Sequence, residues 1–275
     1  MTIDRPRTGF PFLDRPVEEG TVLAFAHRGG IGHRELHGLE NTVKAFENAV
    51  GLGYRYLETD VQATRDGELL AFHDDFLERA TDGEGNVGHL AYADVAPALV
   101  SGREPIPRLE ELLEAFPDSC FNVDLKTAAG VEPLVDLVLR MGVQDRVCVG
   151  SFNERVLRTF RTRVRATSAV PVATSCGLLT ATALAFLPFG RHLPALLRDT
   201  GAALQVPHRH RGLKVVDRGF VEAAHAAGRH VHVWTVNERD EMELLLDLGV
   251  DGIITDATEV LRDVLVGRGL WEGAS

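Results

Sequence analysis

From residue 22 onward the chain alternates between two kinds of segment, and that alternation limits its fold more than any other property. Short runs rich in β-branched, aliphatic and aromatic residues lie at 22–27, 54–63, 68–73, 120–126, 147–152, 168–175, 203–206, 230–236 and 252–255. Stretches with helical spacing of apolar side chains lie between them, at 40–52, 108–115, 131–141, 153–163, 217–227, 238–248 and 258–266. Strand–helix alternation of this kind reads as a parallel sheet with helices packed on it. Nine runs are one too many for an eight-stranded barrel. The segment Thr64-Arg65-Asp66-Gly67 resolves the count. Asp-Gly between two apolar runs is a hairpin signal, because Gly accepts the positive φ that the turn requires. The run 68–73 is then the antiparallel return arm of 54–63, and eight parallel strands remain. The sequence therefore predicts an α/β fold, a (β/α)8 (TIM) barrel, as a single domain over residues 21–275. That length suffices for one domain of this size.

Three stretches depart from the alternation. Residues 1–20 read as an extended arm, with charges and prolines but no apolar core of a secretory signal. Residues 74–107, just after the His73 strand, contain Asp82-Gly83-Glu84-Gly85-Asn86 and a short helical pattern from Tyr92. They read as a small insertion over the barrel mouth. Residues 177–199 are unusually apolar for a connection. They read either as the helix after the fifth barrel strand or as an apolar ledge for a lipid-like alcohol.

Charge narrows the function. The net charge of −11 argues against nucleic acid or an anionic membrane as partner. An anionic small molecule would have to be drawn in locally. No apolar run is long enough to span a bilayer, so no stable membrane insertion is expected. The three cysteines are odd in number and lack CxxC spacing, which implies neither a disulfide framework nor a zinc site. A cytoplasmic setting is the default. The oligomeric state stays open, a homo-oligomer included.

The side chains with chemistry gather at strand ends. His27 ends the apolar run Val22-Leu23-Ala24-Phe25-Ala26 and is followed by Arg28. Glu58 and Asp60 are two apart, so on a strand they share one face. Folding back about Asp66-Gly67 brings His73 near Asp60. Asp124, Lys126, Phe152 and Trp234 also fall at or near strand C-termini, where barrels carry their functional groups. Two imidazoles, a guanidinium and paired carboxylates are an inventory for metal-assisted work on an anionic phosphoester. Ser151 has no base beside it in sequence, and strand alternation sends it to the face opposite Phe152.

The chain resembles the glycerophosphodiester phosphodiesterase family. The matching pieces, in order, are Ala26-His27-Arg28-Gly29, Leu39-Glu40-Asn41-Thr42 with Ala45-Phe46, Leu57-Glu58-Thr59-Asp60-Val61, Thr64-Arg65-Asp66-Gly67 and Phe72-His73-Asp74. Further on come Val123-Asp124-Leu125-Lys126, Gly150-Ser151-Phe152, Val233-Trp234-Thr235-Val236-Asn237 and Gly249-Val250-Asp251-Gly252-Ile253-Ile254-Thr255-Asp256. Each is weak alone, and their order together is very specific.

The resemblance implies the same barrel, an insertion at the same place, and metal-dependent hydrolysis of a small-molecule glycerophosphodiester to glycerol 3-phosphate and an alcohol. It implies His27 and His73 as acid and base. One would deprotonate the glycerol hydroxyl next to the phosphate, and the other would protonate the leaving alcohol. Glu58, Asp60 and Asp124 would hold a divalent cation, Mg²⁺ or Ca²⁺ with Mn²⁺ as a third option, because all three are hard oxygen donors. The family has Glu where Asp124 stands, one methylene longer; an ion pair with Lys126 is the other role open to Asp124. Arg28, Lys126 and Glu40 would meet the substrate. Trp234 would either line the glycerol or serve as a core aromatic. Asp74 would either orient an imidazole or cap a turn. Two further functions use the same apparatus or none of it: lysophospholipase D-type hydrolysis of lysophospholipids, and a non-catalytic barrel that binds phosphate esters.

Overall fold

A computed structural model describes residues 5–177, 201–271 and 273. The eight expected parallel strands form one barrel. They are β1 (Leu23–His27), β2 (Tyr56–Ala63), β6 (Cys120–Leu125), β7 (Val147–Gly150), β8 (Ala173–Thr174), β9 (Ala203–Pro207), β12 (His230–Trp234) and β13 (Gly252–Thr255); β10 (Arg209–His210) and β11 (Leu213–Lys214) form a separate short antiparallel pair. The barrel order is β8-β7-β6-β2-β1-β13-β12-β9, and each strand is parallel to its neighbour. A parallel bridge between Ser175 and Ala203 joins the two ends. There the Cys176 N–H donates to the Ala203 carbonyl and the Ala202 N–H to the Thr174 carbonyl, both at 2.7 Å. The sheet therefore closes, which removes its edges.

The hairpin forms where Asp66-Gly67 predicts it. Gly67 has φ +91°, and β3 (Leu69–Ala71) runs antiparallel to β2. The Phe72 N–H donates to the Asp60 carbonyl at 2.9 Å, which brings the following His73 over Asp60. Residues 74–107 then build short pieces: the 3₁₀ turns Leu77–Arg79 and Val87–His89, helix α3 (Tyr92–Val95), and the strand pair β4 (Leu99–Val100) with β5 (Glu104–Pro105). They have a core of their own. Leu77, Val87, Val95 and Val100 pack with Leu36 and Leu39 of the loop after β1 and with Phe72.

The helices follow the strands as the spacing predicts: α2 (Val43–Gly51), α4 (Leu109–Ala115), α5 (Val131–Met141), α6 (Glu154–Thr167), α7 (Arg218–Ala226), α8 (Arg239–Leu248) and α9 (Thr258–Arg268). Their apolar stripes, such as Leu134, Val135 and Val138 of α5, cover the outer face of the barrel. No described helix is long and apolar enough to cross a membrane. None of the three buried cysteines forms a disulfide. The expected helix or ledge at 177–199 lies outside the described residues, apart from Gly177.

One expectation is corrected. Residues 1–20 are not all an extended arm: Pro11–Glu19 form helix α1. Pro11 suits the first turn, where its missing N–H would have no partner. Gly20, at φ +72°, ends the helix. Phe12 and Leu13 are completely buried in a cluster with Phe25, Tyr56, Cys120 and Ile254 of the barrel strands. The Phe12 and Tyr56 rings meet edge-on at 5.1 Å, and the Tyr56 hydroxyl donates to the Phe12 carbonyl at 3.0 Å. Helix α1 thus packs its apolar side chains into the barrel interior.

Candidate active site

An open cavity of about 220 Å³ lies at the C-terminal ends of the strands. His27, Arg28, Glu58, Asp60, His73, Asp124, Lys126 and Trp234 all line it. Eight of the nine side chains given a catalytic, metal-binding or substrate-contacting role from sequence therefore converge on one space. The ninth, Glu40, is not on the cavity wall.

The turn after β1 sets the first group. Arg28, Gly29 and Gly30 have φ of 51°, 90° and 78°, three left-handed residues in a row. A Cβ on Gly29 would meet the Ala45 Cβ at 2.6 Å, and one on Gly30 would meet the Thr258 Cγ2 at 2.2 Å. Only glycines let the chain pass between α2 and α9 here. The strained turn aims the Arg28 N–H at Glu58 Oε2, 3.1 Å away, and sets the Arg28 Nε 2.8 Å from Asp60 Oδ2.

His27 Nδ1 lies 2.7 Å from Asp256 Oδ1, and His27 Nε2 lies 3.9 Å from Glu58 Oε2. Burial would lower the imidazole pKa, but the Asp256 hydrogen bond and the charges of Glu58 and Asp256 outweigh it and raise it. Asp256 itself is held below the usual carboxylate range: burial opposes this, and His27 and Asn237 prevail. With Asp256 ionised, Nδ1 carries the proton and Nε2 is left to the cavity.

Glu58, Asp60 and Asp124 stand together, since Asp60 of β2 pairs in register with Asp124 of β6. Lys126 bridges the latter two, with Nζ 2.7 Å from Asp60 Oδ1 and 2.6 Å from Asp124 Oδ2. Burial would depress the ammonium pKa, but the two carboxylates raise it. Burial would likewise raise the Asp60 carboxyl, but Lys126 and Arg28 hold it down. Buried Asn41, in a left-handed conformation at φ 61°, donates to Asp60 Oδ2 at 3.1 Å. Glu58 is different. Among the described residues its only ion-pair partner is His27, and burial and the charge of Asp60 push its carboxyl up to about 7.

As it stands, no group of three His, Cys, Asp or Glu side chains among the described residues is arranged to hold a metal ion. The Lys126 ammonium stands between two of the three oxygen donors, Asp60 and Asp124. The donor chemistry nevertheless fits a hard divalent cation. A buried carboxyl raised by its like-charged neighbours is stabilised in its ionised form by an added positive charge.

His73 comes in from the hairpin. Its Nδ1 lies 2.5 Å from Asp74 Oδ1, so Asp74 orients the imidazole. Arg79 of the insertion donates through Nε to the other oxygen of Asp74 and through Nη2 to Glu40 Oε1 at 2.5 Å. Glu40 also accepts from Arg28 Nη1 at 3.3 Å. Glu40 was expected to open helix α2, yet that helix begins at Val43 with Thr42 as its cap. Glu40 precedes it and joins two arginines.

The far wall is mixed. Phe152 and Trp234 meet edge-on at 5.8 Å. Below them Asn122 Oδ1 accepts from Gln205 Nε2 at 2.7 Å, and His232 Nδ1 lies 3.4 Å from the same nitrogen. Ser151 corrects a second expectation. Strand β7 ends at Gly150, so alternation lapses, and Ser151 and Phe152 both line the cavity. The Ser151 hydroxyl donates to the Leu125 carbonyl at 2.8 Å.

Sequence reasoning passed over Asp256, Asn41 and Arg79 as site residues. Asp256 had a signal. An eight-stranded ring closes, so the end of the last strand stands beside the end of the first, and Leu23–Ala26 do pair with Gly252–Thr255. Arg79 had none, because only the fold of the insertion carries it to Asp74.

Fold and cavity together define a class: (β/α)8 enzymes that act on an anionic ester at the C-terminal face of the barrel. The model of the glycerophosphoryl diester phosphodiesterase family matches residues 27–260, and the chain belongs to that family, whose members are phosphoric diester hydrolases. A probable glycerophosphodiester phosphodiesterase 2 of Mycobacterium tuberculosis is 42% identical over 263 residues, covering 94% of this chain and 96% of the relative. A lysophospholipase D of Homo sapiens is 28% identical, covering 87% and 85%. Among solved structures, a glycerophosphodiester phosphodiesterase from Agrobacterium tumefaciens matches with a TM-score of 0.69 at 22% identity, covering 87% and 99%. An Oleispira antarctica phosphodiesterase, solved with the product sn-glycerol-3-phosphate, matches with a TM-score of 0.73 at 22% identity, covering 90% and 98%.

Proposed function

We propose that the enzyme hydrolyses glycerophosphodiesters to glycerol 3-phosphate and an alcohol, using His27 and His73 as its acid and base. The observation that carries this reading is the pair of imidazoles on one cavity, each with Nδ1 against a carboxylate. The family membership and the product bound to a phosphodiesterase of the same fold support the substrate class.

In this mechanism one imidazole Nε2 takes the proton of the glycerol hydroxyl next to the phosphate. The hydroxyl oxygen attacks phosphorus and a new P–O bond forms. The bond from phosphorus to the leaving alcohol breaks, and the second imidazole delivers its proton to that oxygen. Water then opens the cyclic phosphate, with the two imidazoles reversing roles. Arg28 pairs with phosphate oxygens, since its planar fork matches them. Lys126 adds charge beside it. Glu40 acts on the substrate only by steadying Arg28. Trp234 and Phe152 offer an apolar wall to the glycerol carbons.

Glu58, Asp60 and Asp124 would hold the divalent cation, Mg²⁺, Ca²⁺ or Mn²⁺. When bound it supplies charge neutralisation for the phosphate oxygens. With such an ion on the carboxylates, the Lys126 ammonium that now bridges Asp60 and Asp124 would be released to pair with the phosphate.

A second reading, lysophospholipase D-type hydrolysis, has one observation in its favour: Phe152 is 58% exposed at the cavity rim, where an acyl chain could lie. One panel separates the two. The purified enzyme is given glycerophosphocholine, glycerophosphoethanolamine and lysophosphatidylcholine, with EDTA and with each metal added back. Release of glycerol 3-phosphate from the water-soluble diesters, lost in EDTA, supports the first reading. Turnover of the lysolipid alone supports the second. No turnover of any diester would contradict both and leave a barrel that only binds phosphate esters.

A further inference from the structure

We infer that Arg79 is a positioning residue that fixes His73 for proton transfer, and that this is how the insertion takes part in the reaction. The inference rests on the reading of His73 as an acid or base.

The insertion carries a continuous chain of charges from one imidazole of the site to its arginine. His73 Nδ1 meets Asp74 Oδ1 at 2.5 Å. Arg79 Nε donates to Asp74 Oδ2, and Arg79 Nη2 donates to Glu40 Oε1 at 2.5 Å. Arg28 Nη1 donates to Glu40 Oε1 at 3.3 Å. Arg79 therefore uses its fork to tie together two carboxylates from different parts of the chain: Asp74 after the hairpin and Glu40 after β1. Each of those carboxylates holds one cavity side chain.

The need for such a tie follows from exposure. The His73 side chain is 36% exposed and that of Arg79 53%, and an isolated ion pair that open to water is weak and mobile; the strength lies in the network, since the Arg79 fork engages two carboxylates that are themselves only 21% and 13% exposed. A single Asp74 carboxylate would let the imidazole swing. With its second oxygen held by Arg79, Asp74 keeps one orientation, accepts the Nδ1 proton and leaves Nε2 toward the cavity. The place of Arg79 is set in turn by Leu77 in the same 3₁₀ turn. Leu77 is buried in the insertion's own apolar core with Phe72, the residue before His73. The core of the insertion thus sets the aim of a side chain at the barrel mouth.

Steady-state kinetics on three backgrounds, the wild type, His73→Ala and His27→Ala, test this. Arg79→Met should lower kcat about tenfold or more, the scale for losing an outer partner of a functional histidine, with KM little changed. Arg79→Lys keeps the charge and one donor and should recover part of the loss. In a His73→Ala background, Arg79→Met should cost no further kcat, because the imidazole it positions is gone, and any loss passed through Glu40 to Arg28 should fall on KM. In a His27→Ala background it should cost its full factor. An equal loss in both backgrounds, a loss confined to KM, or no loss of kcat would overturn the inference. Thermal unfolding midpoints of the Lys and Met variants are read alongside. A loss of kcat that tracks a fallen midpoint in both would also overturn it. A different result would remove the premise instead: His73→Ala with wild-type kcat would show that His73 moves no proton, whatever Arg79 does.

Discussion

His27 and His73 reach the cavity from different segments, yet each is backed by a carboxylate at Nδ1, Asp256 for one and Asp74 for the other. That repetition makes both imidazoles competent to take or give a proton at Nε2. His27→Ala and His73→Ala should each lower kcat by about 10² or more, the usual scale for a lost acid or base, as measured by release of glycerol 3-phosphate. Retention of near wild-type kcat by either variant would remove that residue from the mechanism. Asp256 has a separate signature. It raises the His27 pKa through a hydrogen bond and its charge, so Asp256→Asn should lower that pKa. An NMR titration of the His27 ring reads the change directly. A midpoint that stays put or rises would contradict the pairing.

At the scale of elements, two contacts carry predictions. Phe12 of α1 is fully buried against Tyr56 inside the barrel, so Phe12→Ala should destabilise the fold by about 3–5 kcal/mol in urea unfolding, as for other large core side chains. A loss below about 1 kcal/mol would mean that α1 is not part of the core. His232 on β12 is also fully buried, and burial together with nearby His230 pushes its pKa down to about 3. Its unfolded value is about 6.5, so below that pH the unfolded chain binds the extra proton first. Stability should therefore fall as pH drops toward 3, by roughly 1.4 kcal/mol per pH unit for this one group. His232→Gln should flatten that slope by about one proton. An unchanged slope would contradict a buried neutral imidazole. The strands were legible because both faces of a barrel strand are buried, which writes them as apolar runs, and Asp66-Gly67 marked the one strand to leave out of the ring. Helix α1 was not legible: Pro11 and Pro16 break its helical look, and its apolar face has meaning only once the barrel interior exists. The strand-end residues of the site were legible for the same reason as the strands. The ties to Arg79 and Asp256 depend on the insertion and on ring closure, which local spacing does not encode.

At the scale of the whole molecule, a chain with a net charge of −11 draws an anionic diester to a mouth that already holds three carboxylates. Local cations must reverse that field: Arg28, Lys126 and, on the proposed reading, a divalent ion. EDTA should abolish turnover, and added Mg²⁺, Mn²⁺ or Ca²⁺ should restore it. Full activity in excess chelator, with no metal in the purified protein, would contradict the proposed role of Glu58, Asp60 and Asp124. The central claim is that the two imidazoles serve a hydroxyl of the substrate itself; the Ser151 hydroxyl and the Cys176 thiol on the cavity wall are each engaged with a backbone carbonyl, those of Leu125 and Gly201. The most direct test follows glycerophosphocholine and its 2-O-methyl derivative side by side by ³¹P NMR. The free diester should be converted to glycerol 3-phosphate, and the blocked diester should stay intact over the same period. Equal turnover of the two would contradict attack by the substrate hydroxyl.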